Sequence, residues 1–268
     1  MKNKPPTWVL LGLSLIAVIP AFGARQSDQP GGAAPASLSP KDAMIERAKI
    51  QMAEKQYDAA IQTYRDLLKG DPKNALFMNM IGIAYLDLSN FDQAKKYFTR
   101  ASKADKNYSS AVNNLGMVYY HQKNFRRAIR EYQRAALIDP VQAGTHANLG
   151  YAYYNSKKFV EAAAEFQKAI ELDPHIFEHN ERVGTMLQDR TVFNHGLFYF
   201  TMAKVYAQKG DAAHCAEYLR KSLDEGYKEI GKAKTDPAFK DVLNDPSVQA
   251  VLVMAAPADQ KGSAQPGA

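Results

Sequence analysis

The chain of 268 residues is 46% hydrophobic and 23% charged, which places it in the globular range with length for one extended domain. Its formal net charge of +6 falls to +4 once Lys2 and Lys4 are removed, well short of the concentrated basic stripe of a nucleic-acid binder. The single cysteine, Cys215, excludes an intramolecular disulfide.

Lys2 and Lys4 precede an apolar run from Trp8 to Ile19, and the small residues of Pro20–Ala24 follow. This is the pattern of a secretory signal, cut after Gly23 or Ala24, and it predicts an exported, periplasmic chain of bacterial type. The run is shorter than the roughly 20 residues that a membrane-spanning helix needs, so an uncleaved N-terminal anchor is the alternative and not the first expectation. No cysteine follows the signal to carry a lipid. Residues 25–40 are rich in Gly, Pro, Ala, Ser and Gln and predict a disordered tether.

From Lys41 a pattern recurs every 34 residues. Asn114, Leu115, Gly116, Tyr119, Ala128, Tyr132, Ala135 and Asp139-Pro140 return as Asn148, Leu149, Gly150, Tyr153, Ala162, Phe166, Ala169 and Asp173-Pro174. One period earlier stand Met78, Ile81, Gly82, Tyr85, Ala94, Phe98 and Ala101; one period before that stand Met44, Ala48, Ala60, Tyr64, Leu67 and Pro72. A fixed period of this length, holding two helical patterns and a turn, predicts a solenoid of four repeats: 41–74, 75–108, 109–142 and 143–176. Gly116 and Ala128 carry no bulk, so the two helices can approach while Tyr119 and Tyr132 fill the space around them. Asp139-Pro140 ends the second helix.

These residues resemble the tetratricopeptide repeat (TPR) family. The resemblance implies an all-α fold, a right-handed α-solenoid of helix-turn-helix repeats whose first helices line a concave groove. By the same resemblance the exposed groove positions are Leu76, Asn79, Ile83 and Leu86, then Ser110, Asn113, Met117 and Tyr120, then Gly144, Ala147, Tyr151 and Tyr154. Two readings of this face stand side by side. As an open groove it is an apolar, aromatic binding patch, with Asn113, Asn114 and Asn148 available to the backbone of an extended peptide. As helix–helix contact it is core. The carboxylate clamp of TPR co-chaperones is absent: Ile45, Asn79 and Asn113 stand at the fifth position where cations would be, and Asn148 or Glu181 where the arginine would be.

The second helices carry the basic residues, with Arg126, Arg130 and Arg134 four apart, Arg127 beside them and Lys123 before. A solvated face or a weak contact with anionic lipid or envelope polymer are the readings of this stripe. After Pro174 the period breaks at a 19-residue insertion, 177–195, expected as a loop over one end of the groove. His175, Glu178, His179 and His195 superficially offer metal ligands there, but no paired motif supports a metal and no cofactor is expected. A fifth repeat resumes over 196–229, with Tyr206, Cys215 as a buried thiol, Leu219 and Ser222. Asp236-Pro237 and Asp245-Pro246 each predict a short capping helix within 230–256, and 257–268 a disordered tail.

No nucleophile elbow, phosphate loop or metalloprotease motif is present, so the chain is expected not to be an enzyme. The leading expectation is a scaffold that holds a segment of a partner protein in its concave groove. The alternative is a structural cell-envelope component, serving secretion or outer-membrane assembly and associating through repeat ends or the basic outer face.

Overall fold

The computed structural model of this protein describes residues 38–177, 192 and 194–255. The signal, nearly all of the tether, most of the insertion and the tail lie outside the described residues. From Ser39 onward the described chain is all α, built as helical hairpins stacked in sequence. The four predicted repeats become α1 (Pro40–Ala53) with α2 (Tyr57–Gly70), α3 (Ala75–Asp87) with α4 (Phe91–Ala104), α5 (Ser109–His121) with α6 (Phe125–Ile138), and α7 (Ala143–Asn155) with α8 (Phe159–Leu172). After the insertion come α9 (His195–Gln208) and α10 (Ala212–Asp224), and α11 (Pro246–Met254) packs on α10.

Local chemistry sets where these helices begin and turn. Asn74, Asn90, Asn124, Asn194 and Asp211 each cap a helix, the side-chain oxygen accepting from the backbone N–H three residues on. Between the two helices of every hairpin one residue takes a positive φ: Lys55, Ser89, Lys123, Lys157 and Gly210, at +57° to +74°. The left-handed residue lets the following N–H reach back to the first helix, as when Asn124 donates to the Tyr119 carbonyl at 2.8 Å. Hence every hairpin turns in the same way.

Packing between the helices of a hairpin rests on a small residue facing an aromatic ring. A Cβ added to Gly82, Gly116 or Gly150 would lie 2.5, 2.7 or 2.5 Å from Phe98, Tyr132 or Phe166. These three rings are fully buried, each contributing about 1.5–3 kcal/mol. In the fifth hairpin Leu219 replaces the ring, and Ala203 takes the glycine position. His146, 2% exposed, ties α7 to its surroundings: Nε2 donates to the Pro140 carbonyl (3.0 Å) and Nδ1 lies 2.7 Å from Glu165 Oε2.

The C-terminal cap differs from the expectation. Asp245-Pro246 starts α11, whose Val248, Val251 and Leu252 are buried as expected. Asp236-Pro237 starts only a three-residue 3₁₀ turn, Pro237–Phe239, preceded by a second 3₁₀ segment over Ile230–Lys234. The reason is spacing. A helix from Pro237 would have to end before Pro246, whose ring disfavours helix at Asp245, and so short a helix does not sustain itself.

Candidate functional site

The first helices α3, α5 and α7 are joined by a line of buried amides. Asn79 Nδ2 donates to Tyr108 Oη (3.3 Å), and Asn114 Nδ2 donates to Asn79 Oδ1 (3.0 Å). Asn113 Nδ2 donates to Asn114 Oδ1 (3.3 Å), and Asn148 Nδ2 to Asn113 Oδ1 (3.0 Å). The fifth position of one first helix thus meets the sixth position of the next. All four asparagines are at most 5% exposed. Their amides bond one another across the repeats, so the exposed placement expected for them is corrected: buried amides need partners, and the neighbouring helix supplies them.

The aromatic part of the expected patch is buried too. Tyr151 stacks on Phe198 (centroids 5.5 Å apart) and meets Phe166 edge-on (5.2 Å). Tyr154 is flanked by Phe159 and Phe198, and its hydroxyl donates to the Asn194 carbonyl (2.9 Å). Burial pushes its phenol pKa well up. Tyr120 packs on Phe125 and accepts from Asn155 Nδ2, and Met117 is 6% exposed. In this structure, therefore, Met117, Tyr120, Tyr151 and Tyr154 are core and not an exposed patch. Phe198 of α9, which the insertion separates from them in sequence, packs on both Tyr151 and Tyr154, with Phe177 also on Tyr151. Of the expected groove positions, Leu76 is 52% exposed and Ile83 and Leu86 on α3, Ser110 on α5 and Gly144 on α7 are half-buried, so the accessible apolar side chains lie on α3.

The four asparagines of this line run from Asn79 to Asn148. One period plus the insertion later stands Thr201, whose hydroxyl donates to its own helix at the Leu197 carbonyl (2.9 Å). α9 meets α8 less closely than α3, α5 and α7 meet the helices before them, and a cleft of about 440 Å3 lies at this junction. Phe159, Val160 and Ala163 line one side, Leu197, Phe200 and Thr201 the other, and Tyr227 closes it. At its polar edge Lys204 Nζ bonds Asp236 Oδ2 (2.7 Å), which holds the Asp236 pKa below the usual carboxylate range despite opposing burial. Burial and the neighbouring Glu229 carboxylate push the Tyr227 phenol up to about 12.

Sequence reasoning missed this cleft, although one signal was in the letters. Val160 is an outward position where the earlier repeats carry Asp58, Asp92 and Arg126, and it is 82% exposed. Of the histidines considered as ligands, His175 is exposed, His195 lies 3.9 Å from Glu225, and His179 falls outside the described residues. Among the described residues no cluster of His, Cys, Asp and Glu could hold a metal ion. Cys215 is fully buried in the core, and its thiol is pushed up to about 12 by that burial.

No curated protein matches the sequence. Among solved structures, PilF of Pseudomonas aeruginosa is similar at 17% identity and a TM-score of 0.52, covering 80% of this chain and 88% of its own. MamA from Desulfovibrio magneticus RS-1 is similar at 17% identity and a TM-score of 0.50, covering 70% of this chain and 97% of its own. YrrB, a TPR protein with an unusual peptide-binding site, gives 20% identity and a TM-score of 0.46, with 72% of this chain and 91% of its own covered. At these identities the likeness is one of fold. Tetratricopeptide repeat models match residues 42–74, 79–143, 143–176 and 198–225, together more than half of the sequence, and with the five hairpins described above the chain belongs to the tetratricopeptide repeat family.

Proposed function

We propose that this chain is an exported, non-catalytic interaction scaffold that takes a segment of a partner protein on its first-helix face. The observation that carries the reading is the accessible apolar row on α3. Leu76, Ile83 and Leu86 recur at helical spacing on one face; Leu76 is exposed, and Ile83 and Leu86 pack on the core with one side and keep part of their surface accessible. The asparagine line beside them fixes the first helices against one another, which gives a partner a preorganised surface. The family supports the coarse statement, protein–protein interaction, and the row on α3 supports the finer one.

Photo-crosslinking in the living host tests this. Probes replace Ile83 on the first-helix face, Thr201 in the α8–α9 cleft and Arg130 on the outer face. Capture of one discrete protein at Ile83 and not at Arg130 is expected, and its loss in an Ile83→Glu/Leu86→Glu variant with the probe at Leu76 follows. Capture at Thr201 alone transfers the docking place to the cleft and overturns the role of α3. Capture only at Arg130, or nowhere, overturns the scaffold reading. Export rests on Lys2, Lys4 and the run Trp8–Ile19. A mature chain beginning near Arg25 in the periplasmic fraction is expected, and a cytoplasmic chain that retains Met1–Ala24 overturns it.

A further inference from the structure

The second helices divide sharply in charge. On α4 the cations Lys95, Lys96, Arg100 and Lys103 face a single acid, Asp92; on α6 Arg126, Arg127, Arg130 and Arg134 face a single acid, Glu131. The flanking helices do not share this. α2 balances Arg65 and Lys69 with Asp58 and Asp66, and α8 sets Glu161, Glu165 and Glu171 against Lys168. The basic character is therefore confined to the outer face of the second and third repeats, where Lys96 and Arg130 hold the same position on neighbouring helices, as do Arg100 and Arg134.

Some of these cations have protein partners. Arg134 pairs with Glu131 (2.8 Å), Lys95 and Arg127 each lie 5.6 Å from the ring centre of Tyr119, and Arg100 lies 5.2 Å from that of Tyr97. Lys96, Lys103, Arg126 and Arg130 are exposed and form no ion pair among the described residues. At the C-terminal end of α6 and just beyond it stand two aliphatic side chains in water. Leu137, seven residues past Arg130 and so on its side of α6, is 85% exposed, and Val141 in the following turn is 71% exposed.

We propose that this face is a peripheral membrane-binding surface for a bilayer rich in anionic lipid. Unpaired cations attract phosphate headgroups, each Lys or Arg near the surface strengthening partition about fivefold. Aliphatic side chains at the border of a basic helix face enter the headgroup region and hold the protein there. The alternative occupant, a soluble acidic polymer, would use the cations and leave Leu137 and Val141 in water. The two exposed aliphatics therefore favour the bilayer. This inference concerns the opposite element of each hairpin from the proposed partner site, and it stands or falls independently of it.

The test is co-sedimentation of the purified full-length mature protein with vesicles of phosphatidylcholine, with and without phosphatidylglycerol. The mature N-terminal segment keeps Arg25 and a free amino group, so its contribution is separated by the variants below, which all retain it. Binding to the anionic vesicles alone, weakened by added salt, is expected. Arg126→Gln/Arg130→Gln should weaken it about twentyfold, and Leu137→Ser/Val141→Ser about tenfold, with circular dichroism unchanged in both. Equal partition into the two vesicle types overturns the proposal, as does anionic binding that the Arg126→Gln/Arg130→Gln change leaves intact. Binding that persists in Leu137→Ser/Val141→Ser and is matched by heparin reassigns the surface to a soluble polyanion and also overturns it.

Discussion

Gly116 sits so close to Tyr132 that a Cβ on it would come within 2.7 Å of the ring. Gly116→Ala should therefore cost about 1–3 kcal/mol by overpacking. The fifth hairpin indicates the remedy, since Ala203 faces Leu219 there. Tyr132→Leu should recover part of the loss in the Gly116→Ala background, although alone it destabilises. Urea unfolding of the two single variants and the double variant reads this coupling directly.

Tyr132 is also fully buried with a hydroxyl that has no hydrogen-bond partner among the described residues. Burial pushes its pKa far up, so the phenol stays neutral. The equivalent positions in the adjoining repeats are Phe98 and Phe166. Tyr132→Phe should raise stability by about 1 kcal/mol, because it removes a desolvated polar atom and keeps the ring. A fall in the urea midpoint would show that the hydroxyl has an occupant.

The asparagine line should be intolerant of gaps. Asn79→Leu removes the acceptor of Asn114 and the donor to Tyr108 while keeping similar volume. The cost is about 2 kcal/mol, mostly from leaving the Asn114 amide buried without its partner. Asn79→Leu/Asn114→Leu should cost less than the sum of the two single changes. Chemical denaturation of all three variants checks it.

Four of the five hairpin turns place a non-glycine residue at positive φ, and the fifth uses Gly210. Lys157→Gly should stabilise by about 0.5 kcal/mol, because glycine takes this conformation without strain, part of the gain being offset by its freer unfolded chain. Gly210→Ala should cost about 1 kcal/mol. The shift of the thermal midpoint in each variant gives the sign.

Cys215 offers a pH-dependent reading of the same core. Its thiol titrates near 9 in the unfolded chain and is pushed up to about 12 by burial in the native one. The folded state binds the proton more tightly, so this contribution is fully present below pH 9 and is lost as pH rises from about 9 to 12. Cys215→Ser should flatten that part of the alkaline stability curve. At neutral pH the native thiol should resist a thiol reagent that labels the unfolded chain at once.

The sequence by itself determined the repeat: a 34-residue period of small, aromatic and turn residues fixes helix lengths, hairpin turns and the solenoid, because each of these depends on neighbours within one hairpin. It also placed Cys215 and the α11 face in the core. Only the tertiary structure decided the surface. Whether Asn113 faces a peptide or Asn148, and whether Tyr151 faces a groove or Phe198, depends on how far one hairpin rotates against the next and on where the chain returns after its insertion. Neither is encoded in the spacing of residues along a single helix. The cleft beside Val160 has the same origin: it lies between α8 and an α9 that is distant from it in sequence.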